Sequence, residues 1–269
     1  MENEIREVYL KEQEKLKHRD FFTTGYEDLD IFCRFLQGGN IMTIGGRPAM
    51  GKTSLVVSLT NHLTEKGKRI LFFSIEMSKA QFVSRLVSEK TGASLLNILE
   101  GRVSEAVVNP VLDSFKDKEI FITDKACKIE DFEASVKDIK PEIVFIDYVQ
   151  LIEAPKAPNR TEAINIVIQE IKRIAVENDT IVILTSQLSR APELRMDKRP
   201  LLSDLRSSST LEELSDIILM IYRESYYEPE PDYPKNEIII AKNSFGPTGV
   251  ITLDFKNGYF KNQTVTNTF

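Results

Sequence analysis

The sequence has few of the residues that build metal sites and disulfide frameworks. Its 269 residues include two cysteines and two histidines, and Cys33 and Cys127 lie far apart in the chain. This excludes a disulfide framework and a Cys/His metal cluster, so we expect both cysteines to be reduced packing residues. No apolar run approaches the length that crosses a bilayer. The first twenty residues are rich in glutamate and lack the apolar stretch of a secretory signal. The sequence therefore predicts a cytoplasmic protein that does not enter a membrane.

The chain also lacks an excess of positive charge. It carries 35 Lys and Arg residues against 41 Asp and Glu residues, a formal net charge of −6. A surface that coats nucleic acid through bulk positive charge is therefore excluded, and any contact with a phosphate backbone must be local.

Residues 46–53 form a glycine-framed turn between an apolar run at 41–44 and a second apolar run that begins at Leu55. Their sequence, Gly-Arg-Pro-Ala-Met-Gly-Lys-Thr, matches the pattern G-x-x-x-x-G-K-[ST] of a phosphate-binding loop. In such a loop, backbone N–H groups and the positive end of the next helix surround a polyphosphate. We therefore predict that ATP contacts Gly46, Arg47, Pro48, Ala49, Met50, Gly51, Lys52, Thr53 and Ser54.

Three side chains are predicted to manage charge around the phosphates. Lys52 would reach the β- and γ-phosphates as a mobile point charge, and the Thr53 hydroxyl would bind Mg²⁺. The apolar run at 143–146 predicts a buried strand that ends in Asp147. A carboxylate at that edge of a sheet is a suitable second ligand for Mg²⁺.

A further buried strand is predicted at 181–186, and Gln187 stands directly past its end. Its amide could contact the attacking water or the γ-phosphate and report nucleotide state to the following loop. Between residues 190 and 206 that loop carries five cations and three carboxylates. A solvated loop and a contact for a nucleic-acid backbone both fit this modest excess, and the position after Gln187 favours the contact.

Hydrophobic runs and turn signals predict strands that alternate with helices. Strands are expected at 40–44, 70–74, 120–123, 142–147, 181–186, 217–222, 237–242 and 250–255. Units of this kind predict an α/β fold with a mainly parallel central sheet, flanked by helices and extended by antiparallel strands at the C-terminal end.

The chain is expected to consist of a helix over residues 1–19, one domain over 20–262 and a tail over 263–269. The helix is amphipathic, with Ile5, Val8, Tyr9 and Leu16 near one face. It either packs on its own domain or docks on a neighbouring subunit.

Several motifs in one order resemble the RecA-like C-terminal motor domain of DnaB-type replicative DNA helicases, over about residues 21–261. They include the phosphate loop, Ser-Ile-Glu-Met at 74–77, Ile-Asp-Tyr-Val-Gln-Leu at 146–151, Ser-Gln-Leu-Ser-Arg at 186–190 and Gly-Pro at 246–247. The resemblance implies a RecA-like phosphate-loop NTPase that uses ATP and Mg²⁺. It also implies a homo-hexameric ring that translocates on single-stranded DNA and unwinds duplex DNA during replication.

The resemblance further implies roles for individual residues. Glu76 would polarise the attacking water, Asp147 would hold Mg²⁺, and Gln187 would be the coupling sensor. Lys242 would act in the ATP site of the neighbouring subunit. The DNA backbone would be held by Arg190, Arg199, Arg206, Ser207 and Ser209. The N-terminal helix would be the family's linker helix, which docks on the adjacent subunit, and a helicase loader is a further candidate partner.

The sequence departs from the family pattern in three places. The chain has no room for the family's primase-binding domain, so we expect either no primase coupling or a fragment. Arg206 precedes three serines instead of an acidic residue and a glycine. Ser244 stands where the family has an arginine finger. Such an arginine is worth roughly 10³- to 10⁵-fold in turnover, so we expect weak ATPase activity unless Lys242 or Arg223, near the nucleotide, compensates.

Two other functions share the predicted core. A recombinase-like ATPase would form open helical filaments on DNA and exchange strands instead of unwinding duplex. An ATP-switched binding or loading module would bind nucleotide tightly and hydrolyse it slowly, as the serine at position 244 would allow.

Overall fold

The structure is a computed structural model that describes residues 2–17, 20–125, 128–153, 157–205, 209–228 and 235–263. Its strands are β1 (Ile41–Gly46), β2 (Ile70–Ser74), β3 (Ile120–Thr123), β4 (Ile143–Asp147), β5 (Ile181–Gln187), β6 (Ile217–Arg223), β7 (Asn236–Asn243), β8 (Gly249–Thr252), β9 (Asp254–Lys256) and β10 (Tyr259–Lys261). Eight of them form one sheet in the order β3-β2-β4-β5-β1-β6-β7-β8. Strands β3 to β6 in that order pair in parallel, and β7 and β8 are antiparallel additions. The predicted mainly parallel sheet is confirmed.

Helices cover both faces of this sheet. The helices in the described part of the chain are α1 (Glu2–Lys17), α2 (Glu27–Cys33), α3 (Lys52–Glu65), α4 (Lys79–Thr91), α5 (Leu95–Leu99), α6 (Glu105–Asp113), α7 (Ile129–Ile139), α8 (Arg160–Glu177), α9 (Ala191–Leu194) and α10 (Ser209–Leu214). One apolar cluster joins α3 and α4 to the sheet, and a second joins α7 and α8 to it. Within β2, Phe72 belongs to the first cluster while Leu71 and Phe73 belong to the second. Burial on both faces is why the parallel strands read as continuous apolar runs.

Local signals begin and end the helix that follows β2. The Ser78 hydroxyl accepts a hydrogen bond from the Gln81 amide, and the Gln81 side chain accepts one from the Ser78 amide, which together form a capping box. The helix ends at Thr91 and is capped by Gly92, whose φ of 71° is readily adopted by glycine. These signals set the direction in which α4 leaves the edge of the sheet.

The C-terminal end differs from the prediction of one strand at 250–255. Strand β8 ends at Thr252, and Leu253 is 2% exposed. Strand β9 then pairs with β10 in a separate two-stranded sheet. The turn between them is made by Asn257 and Gly258, which both have positive φ angles, as a tight hairpin requires. The prediction of one continuous strand was wrong because the chain leaves the main sheet here and pairs with the following hairpin strand instead.

Helix α1 presents apolar side chains to solvent. The exposed fractions of Ile5, Val8 and Tyr9 are 71%, 65% and 61%. Its predicted helical conformation is confirmed, and its docking role stays a prediction. Among the described residues, no helix combines the length and apolarity needed to cross a membrane. Cys33 is a buried free thiol, as expected, and Cys127 lies outside the described residues.

Candidate nucleotide-binding site

The carboxyl ends of four neighbouring strands bring the predicted site residues together. Gly46 at the end of β1 pairs in register with Gln187 at the end of β5. Ser74 at the end of β2 pairs with Asp147 at the end of β4. The chain turns after β2 so that the backbone amide of Glu76 donates a 3.3 Å hydrogen bond to the carbonyl of Asp147. The parallel register therefore places residues from 46 to 187 at one edge of the sheet.

The phosphate loop opens onto a cavity of about 400 Å³. Gly51 begins α3 with a φ of 99°, a conformation that side chains rarely adopt. A Cβ at this position would also lie 2.9 Å from the Phe260 ring, so glycine is required for both reasons. The loop residues that line the cavity are Pro48, Ala49, Gly51, Lys52, Thr53 and Ser54.

Three predicted loop residues do not line this cavity. Gly46 lies at the end of the buried strand β1. Met50 is 1% exposed and packs in the core. The Arg47 guanidinium is bonded to Glu193 and to the Leu188 carbonyl. Packing and an ion pair hold the side chains of Met50 and Arg47 away from the cavity, and the nucleotide contact of these two loop residues stays a prediction.

Lys52 is half-buried beside the loop backbone. Its Nζ donates hydrogen bonds of 2.9 Å to the Gly46 carbonyl and 3.2 Å to the Arg47 carbonyl. Burial lowers the pKa of Lys52, and the nearby carboxylates of Asp147 and Glu76 partly offset that effect. The ammonium therefore sits in a partly desolvated position, where a polyphosphate would be an effective counter-charge.

Asp147 is held by two hydroxyl groups. The Thr53 hydroxyl donates a 2.8 Å hydrogen bond to Asp147 Oδ2, and the Thr185 hydroxyl donates a 2.6 Å hydrogen bond to Oδ1. The carboxylate is 1% exposed. A carboxylate and a hydroxyl at a helix N-terminus are the hard oxygen donors that suit Mg²⁺. Within the described ranges, no group of three or more His, Cys, Asp and Glu side chains could hold a metal, so a cation here would complete its shell with phosphate and water oxygens.

Glu76 and Gln187 both line the cavity, as predicted. Burial raises the pKa of Glu76, and the negative charge of Asp147 raises it further. A carboxylate with a raised pKa is a stronger base than usual, which suits a group that polarises water.

Sequence reasoning missed Arg85 and most of one wall of the cavity. Arg85 on α4 lines the cavity beside Glu76, one helical turn after Gln81 of the capping box. The missed wall comes mainly from the β9–β10 hairpin and consists of Phe255, Asn257, Gly258 and Tyr259. Tyr148, which follows Asp147 through a cis peptide bond, also lines the cavity. Gln81 and Arg85 are four residues apart and so share one face of α4, where both line an adjoining pocket with Glu76. This spacing from the helix start could have identified Arg85.

Arg223 contacts two residues that line the cavity, Ala49 and Phe255. Its guanidinium carbon lies 3.6 Å from the centre of the Phe255 ring, and Nη1 donates a 3.2 Å hydrogen bond to the Ala49 carbonyl. Burial lowers the pKa of Arg223. Its observed contacts are with the loop backbone and the hairpin, and its contact with nucleotide stays a prediction.

The remaining predicted residues lie outside the cavity. Lys242 Nζ donates to the carbonyls of Glu212 and Glu213 at the end of α10. Arg199 forms a two-pronged ion pair with Glu237 and stacks on Tyr222. Arg190 is exposed, and Ser209 begins α10. Arg206 and Ser207 fall outside the described residues. The role of Lys242 in a neighbouring subunit's site stays a prediction. The DNA-binding roles of the other residues also stay predictions.

Comparisons with known proteins give one consistent family. The model of the DnaB-like helicase C terminal domain matches residues 22–264. A probable plasmid replicative DNA helicase of Chlamydia psittaci is 35% identical over 265 residues, which cover 94% of this chain and 58% of that protein. The replicative DNA helicase DnaB of Rickettsia bellii is 35% identical over 281 residues, covering 89% of this chain and 56% of that protein. The chain thus spans a little more than half the length of these relatives.

Solved structures agree with the sequence comparisons. One structure, described as an ATPase domain, has a TM-score of 0.89 and 32% identity, and the match covers 97% of this chain and 99% of that one. A structure of a DnaB-like replicative helicase and its interactions with primase has a TM-score of 0.87 and 32% identity, covering 96% of this chain and 66% of that one.

Proposed function

We propose, because the chain belongs to the DnaB-like helicase C-terminal domain family, that it is an ATP-hydrolysing motor acting on DNA during replication. The more detailed proposal is a homo-hexameric ring that uses ATP and Mg²⁺, translocates on single-stranded DNA and unwinds duplex DNA. The observation that carries it is the convergence of Lys52, Thr53 and Glu76 on one cavity at the carboxyl edge of the sheet, with buried Asp147 hydrogen-bonded to Thr53.

Each of these groups has a defined task in hydrolysis of the γ-phosphoryl group. Glu76 would polarise the attacking water, and its raised pKa supports that task. The Lys52 ammonium would neutralise charge on the β- and γ-phosphates. Thr53 and Asp147 would hold Mg²⁺, which supplies charge neutralisation to the same oxygens when bound. Arg85 lines the cavity in the same chain and would add a further cation near Glu76.

The test is Mg²⁺-dependent ATP turnover with and without single-stranded DNA. Lys52→Ala removes the phosphate-loop cation and serves as the blank. We expect turnover that DNA stimulates and that Lys52→Ala abolishes. Tight ATP binding with negligible turnover in both conditions would contradict the motor and support an ATP-switched module. Neither that module nor a recombinase-like filament is favoured, because the relatives are named replicative DNA helicases.

The N-terminal helix supports the proposal of self-association. Ile5, Val8 and Tyr9 expose apolar surface that a helix normally buries. We propose that α1 docks on a neighbouring copy in the ring. Sedimentation should then show smaller assemblies for an Ile5→Ser/Tyr9→Ser variant, while Ile31→Ser, which alters a similarly exposed isoleucine on α2, keeps the wild-type size. An unchanged size for the α1 variant would reject this role.

A further inference from the structure

The side chain of Arg47 extends from the phosphate loop and forms hydrogen bonds with the segment that follows β5. Its Nε and Nη2 donate hydrogen bonds of 2.9 Å and 2.6 Å to Glu193 Oε1, and its Nη1 donates one of 3.0 Å to the Leu188 carbonyl. The Arg47 side chain is only 12% exposed. Two charge-assisted hydrogen bonds to a carboxylate and one to a backbone carbonyl, around a mostly buried side chain, connect the phosphate loop rigidly to this segment.

The backbone of the phosphate loop joins the same segment. The Leu188 amide lies 3.4 Å from the Gly46 carbonyl to which it donates. Arg47 thus connects one loop to both ends of a short stretch, Leu188 at its start and Glu193 within α9. A displacement of the loop backbone at residue 47 would move both contacts together.

The contacts continue through the segment at 188–205. Lys198 Nζ donates a 2.7 Å hydrogen bond to the Glu193 carbonyl. Arg195 forms a two-pronged ion pair with buried Asp204, and the Ser189 amide donates a 2.8 Å hydrogen bond to the Asp204 carbonyl. Leu188 and Leu205 form an isolated antiparallel bridge. The segment is therefore tied into a unit whose last residue precedes the predicted DNA-contacting residues at 206–209.

We propose that the Arg47–Glu193 ion pair transmits the state of the phosphate loop to the 188–205 segment and so links nucleotide binding to single-stranded DNA binding. This inference rests on the proposed function. Arg47 is a positioning residue that acts through Glu193, since its guanidinium points away from the cavity. The route is distinct from Gln187, which lines the cavity itself.

The linkage has a thermodynamic consequence that can be measured. If nucleotide changes the affinity for DNA by some factor, DNA changes the affinity for nucleotide by the same factor. Coupling between sites is typically about 5- to 150-fold. Breaking the ion pair should reduce that factor toward one and leave the affinity for nucleotide in the absence of DNA within about two-fold, because Glu193 does not line the cavity.

The experiment measures the Kd of the full chain for a fluorescent oligothymidine, with Mg²⁺ and either ADP or a non-hydrolysable ATP analogue. The ratio of the two Kd values is compared in wild type, Glu193→Gln and Asp197→Asn. Asp197 is a matched control, because its carboxylate lies on the same segment but pairs with Arg199. We expect a wild-type ratio of at least about 5, a ratio below about 2 in Glu193→Gln, and the wild-type ratio in Asp197→Asn.

A second variant keeps the proposal testable if Glu193→Gln fails to fold. Arg47→Lys keeps the positive charge but cannot reach both Glu193 and the Leu188 carbonyl, so its ratio should be intermediate. Combining the two substitutions should lower the ratio no further than Glu193→Gln alone.

The outcomes separate the inference from the proposed function. A wild type that hydrolyses ATP and shows a nucleotide-dependent Kd that Glu193→Gln and Arg47→Lys both retain overturns the inference alone. A wild type whose DNA affinity ignores nucleotide overturns it as well. A wild type that neither hydrolyses ATP nor binds the oligothymidine overturns the proposed function, and this inference with it.

Discussion

The hydroxyl of Thr53 donates a 2.8 Å hydrogen bond to Oδ2 of Asp147, a residue 94 positions away in the chain. The bond joins the first turn of α3 to the end of β4. A second hydroxyl, from Thr185, fixes the other carboxylate oxygen. The Asp147 carboxylate therefore has a defined orientation next to Thr53, which lines the cavity and would share a cation with it.

Asp147→Asn should remove most of the Mg²⁺-dependent activity. The amide keeps the shape of the side chain but loses the negative charge that would hold the cation, so turnover should fall by about 10²-fold or more. Steady-state turnover across a Mg²⁺ titration measures this. Asp138→Asn, which alters an exposed carboxylate on α7, should match wild type. A wild-type Mg²⁺ dependence in Asp147→Asn would rule out the metal role.

Phe72→Ala should destabilise the fold strongly. The Phe72 ring is fully buried, with its centre 3.7 Å from that of Phe82 and 5.7 Å from that of Phe145. Removing it leaves a cavity, and the expected loss in free energy of unfolding is about 3–5 kcal/mol. Phe121 on the adjacent strand is 40% exposed, so Phe121→Ala should cost about 1 kcal/mol or less. Urea unfolding gives both values, and equal midpoints would contradict the assigned core.

The sheet and the phosphate site could be predicted because their signals are local. Glycines at 46 and 51, followed by Lys52 and Thr53, fix the loop within eight residues. The strand ending at Asp147 is marked by its own apolar run. Because parallel strands place their carboxyl ends at the same edge of the sheet, the strand ends and the phosphate loop are expected to meet there. This prediction requires no knowledge of individual long-range contacts.

The parts that could not be predicted depend on distant contacts. The β9–β10 hairpin reaches the cavity because Phe255 and Phe260 pack against Gly51, which lies far earlier in the chain. The direction of Arg47 is set by Glu193, which no motif marks. Sequence patterns report which residues turn or become buried, whereas these positions follow from tertiary packing that overrides local preference.

Arg190→Ala should weaken binding to single-stranded DNA without dependence on base sequence. Arg190 is exposed on the segment after β5, and removing one phosphate interaction there should lower the slope of log affinity against log salt by about 0.7. Arg69→Ala, just before β2 at the opposite edge of the sheet, is the matched control. Anisotropy titrations at several salt concentrations measure the slope. The DNA contact is rejected if both variants give the same slope as wild type.

Ser244→Arg should raise turnover that depends on assembly. Ser244 is exposed at the turn after β7, where the family resemblance places an arginine finger. A cation inserted into a neighbouring site stabilises the transferring phosphoryl group, so an increase of about ten-fold or more is expected if the missing arginine limits the rate. Turnover per protomer is measured against protein concentration. Thr248→Arg adds the same charge on the same exposed turn, and equal effects from the two variants would show that charge alone is responsible.

Glu76 should control both the acid limb of activity and part of the pH dependence of stability. Burial raises the pKa of its carboxyl, and Asp147 adds to that shift. The carboxylate is the active form, so kcat/KM should decline on acidification at a higher pH than an ordinary glutamate would cause. Glu76→Gln should lose about 10²- to 10⁴-fold in turnover while still binding ATP.

The raised pKa of Glu76 should also change how the stability of the nucleotide-free protein depends on pH, which can be measured without an activity assay. Because the folded state of Glu76 holds its proton more firmly than the unfolded state, its contribution to stability is fully present below the unfolded pKa. That contribution is lost as the pH rises through the higher folded pKa, and Glu76→Gln, which cannot ionise, should not lose it. The difference in unfolding free energy between wild type and Glu76→Gln should therefore change with pH only in that window. A constant difference across the window would mean that Glu76 is not desolvated in the site, and its assignment as the group that polarises water would lose its physical basis.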